Sequence, residues 1–334
     1  MGATLKELAD ALGLSASTVS KVINGKGTVS DKTRKKVLSV AEQMNYRPNE
    51  SARSLRTKDS RTIGVIIPDI TNPFYASLVK GIEEKCQSVG YSVVLCNCNY
   101  NLDREYDYFE LLCSKNVNGI ILATVSEMNR FVGKNKVALV SINEEVPDER
   151  LDWVSIDNKS AMYELTQHVI NLGHTRIGCI YGTQLHITSK LRFDGFLQCM
   201  KDNDLPINEK FLLDGGFNYE TGRKAAKNLI VGPLPTAVLC HNNALSYALY
   251  DVLCEAGYKV PDDISIASFD TAEFGRLLKL LFTCIRQPVE QIGHDAVTLI
   301  LQKMNMKNSK AKVHPIIKPH EFVLGNSVKN INNN

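Results

Sequence analysis

No run of 18 apolar residues interrupts this sequence of 334 residues, and its first segment has no apolar stretch of signal-peptide type. No membrane span is expected, and a cytoplasmic location is. No Gly-x-Gly-x-x-Gly follows the first strand pattern, and a Walker-type phosphate loop, a Gly-x-Ser-x-Gly elbow and a His-Glu-x-x-His helix are all missing. An enzyme would then rest on fold analogy alone, so no catalytic residue, metal site or cofactor is expected. The seven histidines lack ligand spacing and read as surface or capping residues. Nine cysteines, an odd number scattered through apolar surroundings, argue for reduced thiols rather than a disulfide framework. Cys96 and Cys98 stand too close for a usual bridge and have no second ligand pair nearby, so they read as ordinary thiols.

What is present is enough for two or three domains with a hydrophobic core: 44% of residues are hydrophobic and 22% charged. The net charge of +3 hides an asymmetry. Residues 1–61 hold 12 Lys/Arg against 6 Asp/Glu, whereas the remainder holds 27 against 30. The first sixth of the chain is the part that seeks polyanions.

That basic segment reads as three helices. Leu5, Leu8, Ala9 and Leu12 form an amphipathic stripe behind Thr4, an N-cap that Glu7 completes as a capping box, and Gly13 stops the helix. Ser15 caps a second helix with Val19, Val22 and Ile23 inward, ended by Asn24-Gly25. Ser30 caps a third, with Val37, Val40, Ala41 and Met44 inward and Lys32, Arg34, Lys35 and Lys36 outward. The short Gly-containing turn between the first two helices is that of a helix-turn-helix. The exposed face of the second helix, Ala16, Ser17, Ser20 and Lys21, is small and polar enough for a major groove about 12 Å wide. Thr4, Ser15, Thr18 and Asn24 flank it with groups suited to phosphate. A structural three-helix module stays open on pattern alone; the charge and the small polar face favour DNA.

Pro48 ends the third helix near Asn45 and opens a short helical stretch, Asn49 to Thr57, with Ala52 and Leu55 on one face and Arg53 and Arg56 on the other. A helix of that length is expected to form only when something packs against it, as a switchable element requires. From Arg61 the pattern changes to apolar strands alternating with helices. Strands are expected at Ile63–Ile67, Ser92–Cys96, Gly119–Leu122, Val137–Ile142, Trp153–Asp157, Arg176–Ile180, Thr236–Cys240 and Ile264–Phe269, with a last long helix from Val289 to Met304. This predicts parallel sheets in two similar α/β lobes, a cleft at strand carboxyl ends, and a polar, disordered tail from Asn330.

Thr4-Leu-Lys-Glu-Leu-Ala, Ser15-Ala-Ser-Thr-Val-Ser-Lys-Val-Ile-Asn-Gly25, Val29-Ser-Asp-Lys-Thr-Arg34, Tyr46-Arg-Pro-Asn49 and Ala52-Arg-Ser-Leu-Arg56 resemble the headpiece and hinge of the lactose/galactose repressor (LacI/GalR) family. The resemblance continues in register through Thr62-Ile-Gly-Val-Ile-Ile-Pro-Asp-Ile-Thr-Asn-Pro-Phe74, Gly173-His-Thr-Arg-Ile-Gly178 and Val260-Pro-Asp-Asp-Ile-Ser265, to about Phe322. It implies a helix-turn-helix headpiece at 1–47, a hinge helix at 48–60, a two-lobed α/β sensor of periplasmic-binding-protein type at 61–325, and a polar tail at 326–334. It also implies a sequence-specific regulator, a repressor by expectation, that binds a pseudo-palindromic operator in double-stranded DNA as a homodimer or a higher assembly. Ala16, Ser17 and Lys21 would then meet base edges, and Leu55 would wedge into the minor groove while Arg53 and Arg56 lie near phosphates. Lys21 to guanine is the strongest single base contact expected, worth about 1–3 kcal/mol if bidentate.

The same resemblance places a small-molecule effector, sugar-like by expectation, at Phe74, Arg192, Asn242 and Asp270, with Asn143, His186, Thr188 and Phe217 as further contacts. Taken alone, Phe74 and Phe217 also fit a core, and Arg192 a helix surface. Three departures bear on the ligand: Asn242-Asn243 where the family often has Asn-Asp, Asp270-Thr271 where it often has Asp-Asp, and Leu281-Phe-Thr-Cys284 where it usually has Pro-Leu-Thr-Thr. Fewer carboxylates make the pocket less acidic, which puts the usual sugar assignment in question. Two other readings remain from sequence: a catabolite-type regulator whose effector is a phosphorylated carrier protein, and a soluble sugar-binding module with vestigial DNA contacts.

Overall fold

The computed structural model describes residues 3–25, 29–47, 59–123, 131, 137–143, 151–184, 186–270, 280–305 and 315–332. The chain forms two compact units, residues 1–60 and 61–334.

In the first unit α1 (Leu5–Leu12), α2 (Ala16–Ile23) and α3 (Asp31–Gln43) each begin at a hydroxyl cap. Thr4 N–H donates to Glu7 Oε2 at 2.7 Å and Glu7 N–H to Thr4 Oγ1 at 3.2 Å, a reciprocal capping box. Gly13 ends α1 at φ +64°, a left-handed conformation that glycine adopts without a Cβ clash. Leu8, Ala9, Leu12, Val19, Val22, Val37 and Ala41 form the small core, while Val40 and Met44, expected inward, are only partly covered.

The second unit holds two six-stranded sheets. The first contains β1 (Thr62–Ile67), β2 (Ser92–Asn97), β3 (Gly119–Leu122), β4 (Ala138–Ile142), β5 (Asp152–Ile156) and β11 (Ile316–Lys318), in the order β11-β5-β4-β3-β1-β2 and parallel throughout. The second contains β6 (Ile177–Tyr181), β7 (Leu212–Asp214), β8 (Ala237–Cys240), β9 (Ser265–Phe269), β10 (Thr283–Arg286) and β12 (Glu321–Val323), in the order β12-β10-β9-β8-β6-β7. Here the expectation of parallel pairing fails at one edge, because β12 runs antiparallel to β10. Between the strands lie α4 (Pro73–Ser88), α5 (Leu102–Ser114), α6 (Asn158–Asn171), α7 (Ile187–Asp202), α8 (Tyr219–Leu229), α9 (Asn243–Glu255) and α10 (Val289–Asn305). The chain passes from one lobe to the other three times, after β5, after β10 and between β11 and β12. Trp153, the one tryptophan, lies buried on β5 just before the first crossing.

Residues 327–332 are not a loose tail. Ser327 is buried and donates to Ile266 O, Ile331 N–H reaches Leu172 O at 2.8 Å, and Asn332 Nδ2 reaches Asn171 O at 2.8 Å. His174, 1% exposed, holds the Lys329 carbonyl through Nε2 at 2.9 Å. The polar composition there reflects hydrogen bonds to the second lobe rather than solvation. All nine cysteines are free thiols.

Candidate functional site

The helix-turn-helix side chains are placed by their caps. Ser15 Oγ accepts from Thr18 N–H at 3.2 Å and pairs with Thr18 Oγ1 at 2.8 Å, while Asn24 Nδ2 donates to Ser20 O at 2.6 Å. These contacts leave Ala16, Ser17 and Lys21 exposed on one face of α2, beside exposed Thr4, Ser15 and Asn24 and half-buried Thr18. Leu55, Arg53 and Arg56 lie outside the described residues.

The second unit carries a cleft of about 790 Å³, its open mouth included, at the carboxyl ends of the strands of both sheets. Its place at strand carboxyl ends is where α/β folds bind small ligands. All eight side chains expected there, Phe74, Asn143, His186, Thr188, Arg192, Phe217, Asn242 and Asp270, line this one cavity. Two of them end strands in the same unusual backbone conformation: Asn143 after β4 has φ +58° and Asp270 after β9 has φ +54°. Asn and Asp tolerate this left-handed region better than other residues, and here it turns each chain end at the cleft.

Arg192 and Asp270 form the charged centre. Arg192 is 6% exposed; its Nε donates to Asn158 Oδ1 at 2.9 Å, its NH1 to the His241 carbonyl, and its guanidinium carbon lies 3.9 Å from the Phe269 ring centroid. Burial draws its pKa down to about 10, against which the charge of Asp270 works. Asp270 is raised by burial and held back by Arg192 and by Gln287, whose backbone N–H donates to Oδ1 at 3.1 Å and whose Nε2 donates to Oδ2 at 2.7 Å. Each shift has desolvation as its main cause and the opposite charge as its brake. The pair leaves the cavity close to neutral.

The lobes meet across the cleft through polar contacts. Asn72 and Asn243 exchange amide hydrogen bonds, Asn72 Nδ2 to Asn243 Oδ1 at 3.3 Å and Asn243 Nδ2 to Asn72 Oδ1 at 3.0 Å. Tyr100 Oη approaches the Phe217 carbonyl at 3.5 Å, and the two rings lie 2° from parallel with centroids 6.4 Å apart. Thr188 Oγ1 donates to the Asn143 carbonyl. His186 meets the Phe217 ring edge-on at a centroid distance of 4.6 Å.

Three of the seven histidines depart from the expectation of surface or capping roles, since His174, His186 and His241 are buried. His241, Tyr75, Tyr100, Ser189 and Gln287 line the cavity and were not singled out in the sequence. His241 and Gln287 carried only their place directly after strands as a signal, which many non-site residues share, and Tyr75, Tyr100 and Ser189 carried none. Among the described residues no cluster of three potential metal ligands occurs, and no helix is long and apolar enough to cross a membrane.

Residues 4–49 match the family of bacterial regulatory proteins of the lacI type, and residues 60–324 match the family of periplasmic binding proteins and the sugar-binding domain of the LacI family. The chain belongs to the LacI family. It is 35% identical to the HTH-type transcriptional regulator DegA of Bacillus subtilis, over 99% of this chain and 100% of DegA. It is 32% identical to the HTH-type transcriptional repressor PurR of Photobacterium profundum over the same shares of the two chains. In fold it matches the Lac repressor dimer bound to operator and an anti-inducer, with a TM-score of 0.86 at 23% identity, over 98% of this chain and 100% of that one. As a LacI-family member it is a DNA-binding transcriptional regulator with a ligand-binding domain. In this LacI-family chain Asn243, the second asparagine of Asn242-Asn243, closes the two-way amide contact with Asn72.

Proposed function

We propose that this chain represses transcription in the cytoplasm as a homodimer on a pseudo-palindromic operator, and that an uncharged, sugar-like small molecule in the inter-lobe cleft controls its grip on DNA. The observation that carries the effector reading is the convergence of eight side chains, from 74 to 270 in the sequence, on one cavity whose two buried charges offset each other. Phe74 and Phe217 offer ring faces to the apolar side of a ligand, and Asn143, Thr188, Asn242, Arg192 and Asp270 offer polar contacts to its hydroxyls. In each subunit Ala16, Ser17 and Lys21 would read one half-site, with Thr4, Ser15, Thr18 and Asn24 at phosphates. Leu55, Arg53 and Arg56 of the 48–60 hinge would open the central step.

A ligand shifts the equilibrium only by its difference in affinity between the operator-competent and incompetent states. An inducer prefers the second and a co-repressor the first. A cavity lined by buried polar groups favours such a ligand over a protein effector, which needs a surface patch instead. Selection of bound duplexes from a random pool, at near-physiological salt because phosphate contacts dominate at low salt, tests the DNA half. A pseudo-palindrome with a flexible pyrimidine-purine centre is expected. No enriched sequence, with or without neutral sugars and nucleobases, would overturn it.

A further inference from the structure

Three buried polar atoms on cavity-lining residues have no hydrogen-bond partner among the described residues: Asn143 Oδ1, His241 Nε2 and Gln287 Oε1. Buried polar atoms are normally paired, because an unmade hydrogen bond away from water costs the full desolvation of the group. One of these residues ends β4 in the first lobe, one follows β8 in the second, and one stands where the chain crosses between them. That all three residues line the same cavity gives a common explanation: a ligand supplies the missing partners.

His241 is the most informative of the three, because its neighbours decide which ring nitrogen carries the proton. The Gly182 backbone N–H approaches Nδ1 at 3.4 Å, so Nδ1 is the acceptor. Ser189 Oγ lies 3.3 Å from the same nitrogen and donates its hydrogen to Gly182 O at 2.7 Å, anchoring this turn. The residue is 2% exposed and lies beside the Arg192 guanidinium, which donates to its carbonyl; burial, with that positive charge, holds the imidazole well below its ordinary range. A neutral ring with Nδ1 accepting places the hydrogen on Nε2, a donor that the described residues leave unanswered.

We propose that His241 is a specificity-determining residue of the effector site, whose Nε2–H donates to an acceptor on an uncharged ligand, while donors on that ligand meet Asn143 Oδ1 and Gln287 Oε1. This rests on the effector reading of the cleft and adds what the ligand must carry: one acceptor together with at least two donors. Ring-form sugars and similar neutral polyols satisfy the pattern. A phosphorylated or carboxylated compound does not, because Arg192 and Asp270 already offset each other and a further charge would stay buried without a counter-ion.

The test uses the full chain and two substitutions. His241→Asn keeps an acceptor near the position of Nδ1 and deletes the outer donor, whereas His241→Gln extends an amide N–H toward the position of Nε2. Glucose, galactose, ribose, cellobiose, adenine and guanine, with glucose 6-phosphate as the charged comparison, are screened by thermal shift, and binders are titrated by calorimetry. At least one neutral probe is expected to stabilise the wild type, and glucose 6-phosphate none. For that probe His241→Asn should weaken Kd about tenfold or more and His241→Gln only a few-fold. Equal affinity in wild type and His241→Asn would overturn the role of His241 and leave the effector reading standing. No stabilisation of the wild type by any neutral probe would overturn both. A second measurement needs no probe: imidazole nitrogen shifts at neutral pH, assigned by the signal lost in His241→Asn, should show the Nε2–H tautomer, and an Nδ1–H form or an imidazolium would sink the inference.

Discussion

A guanidinium only 6% exposed keeps its charge because its surroundings replace water: Asp270 supplies the counter-charge, Asn158 and the His241 carbonyl accept from it, and Phe269 offers its ring face. Arg192→Ala should therefore act twice. It leaves the buried Asp270 carboxylate without the positive charge that favours its ionised form, which should lower stability, and it removes the effector response. Denaturant unfolding reads the first effect, and operator affinity with and without ligand reads the second; an intact response would move the effector site elsewhere. His174 makes a separate prediction. Burial lowers its pKa in the fold below the ordinary 6.5, so on acidification the unfolded chain takes up the proton first. Stability is thus full above about pH 6.5 and is lost as pH falls toward the folded-state pKa, at up to about 1.4 kcal/mol per pH unit. His241 adds in the same direction. Unfolding midpoints between about pH 7.5 and about pH 5.5 should show this slope, and it should be shallower in His174→Gln. Phe74, Arg192, Asn242 and Asp270 could be assigned to the cleft from sequence because the family resemblance carries them, and all four line it. His241 and Gln287 could not, because the groups that define them, Gly182 and Asp270, lie far off in sequence and meet them only in the fold.

Helix packing in the second unit depends on glycines at close approaches. A Cβ on Gly81 of α4 would land on the Glu290 carbonyl oxygen of α10, and a Cβ on Gly293 of α10 would lie 2.7 Å from the Leu78 carbonyl oxygen. Backbone cannot yield as a flexible side chain can. Gly81→Ala should accordingly destabilise this unit by about 1–3 kcal/mol, measured by urea unfolding, with the headpiece transition unmoved. A neutral result would mean that the two helices can separate without loss. The strongly patterned elements α1 to α3 and α10 were readable from Thr4, Ser15, Ser30 and the apolar spacing. Five elements were not, the four-residue β10 among them. The strands β7, β11 and β12 have three residues each, too few for a period, and α8 buries little beyond Ala225, Ala226 and Leu229 while carrying Gly222 at its centre. Gly222 is needed there, because a Cβ would meet Leu245 Cδ2 at 2.9 Å and Ala248 Cβ at 3.0 Å. The segment after Asn326 misled for a different reason: its polar groups pair with backbone of the second lobe, and composition does not tell a paired amide from a solvated one.

At the scale of the molecule, three chain crossings join the lobes on one side and the Asn72–Asn243 pair bridges them at the cleft. Each amide bond of this kind contributes about 0.5–1.5 kcal/mol, so the pair biases the lobes toward closure without locking them. Asn72→Ala and Asn243→Ala should each weaken effector binding by a few-fold and enlarge the ligand-free sensor in small-angle scattering. The double substitution should do little more than either alone, since both remove the same contact. Additive losses would show that the two amides act separately. Two lobes and a cleft were foreseeable from the repeated strand-helix cycle, but the contact between residues 171 positions apart was not. Beside the first of the three crossings sits Trp153 on β5, the only indole in 334 residues. The protein therefore brings its own fluorophore to a place where the chain passes between the lobes. A change in ultraviolet emission on mixing with a candidate effector can be assigned to one position, without dye or mutation, and followed in a stopped-flow cell on the timescale of the motion.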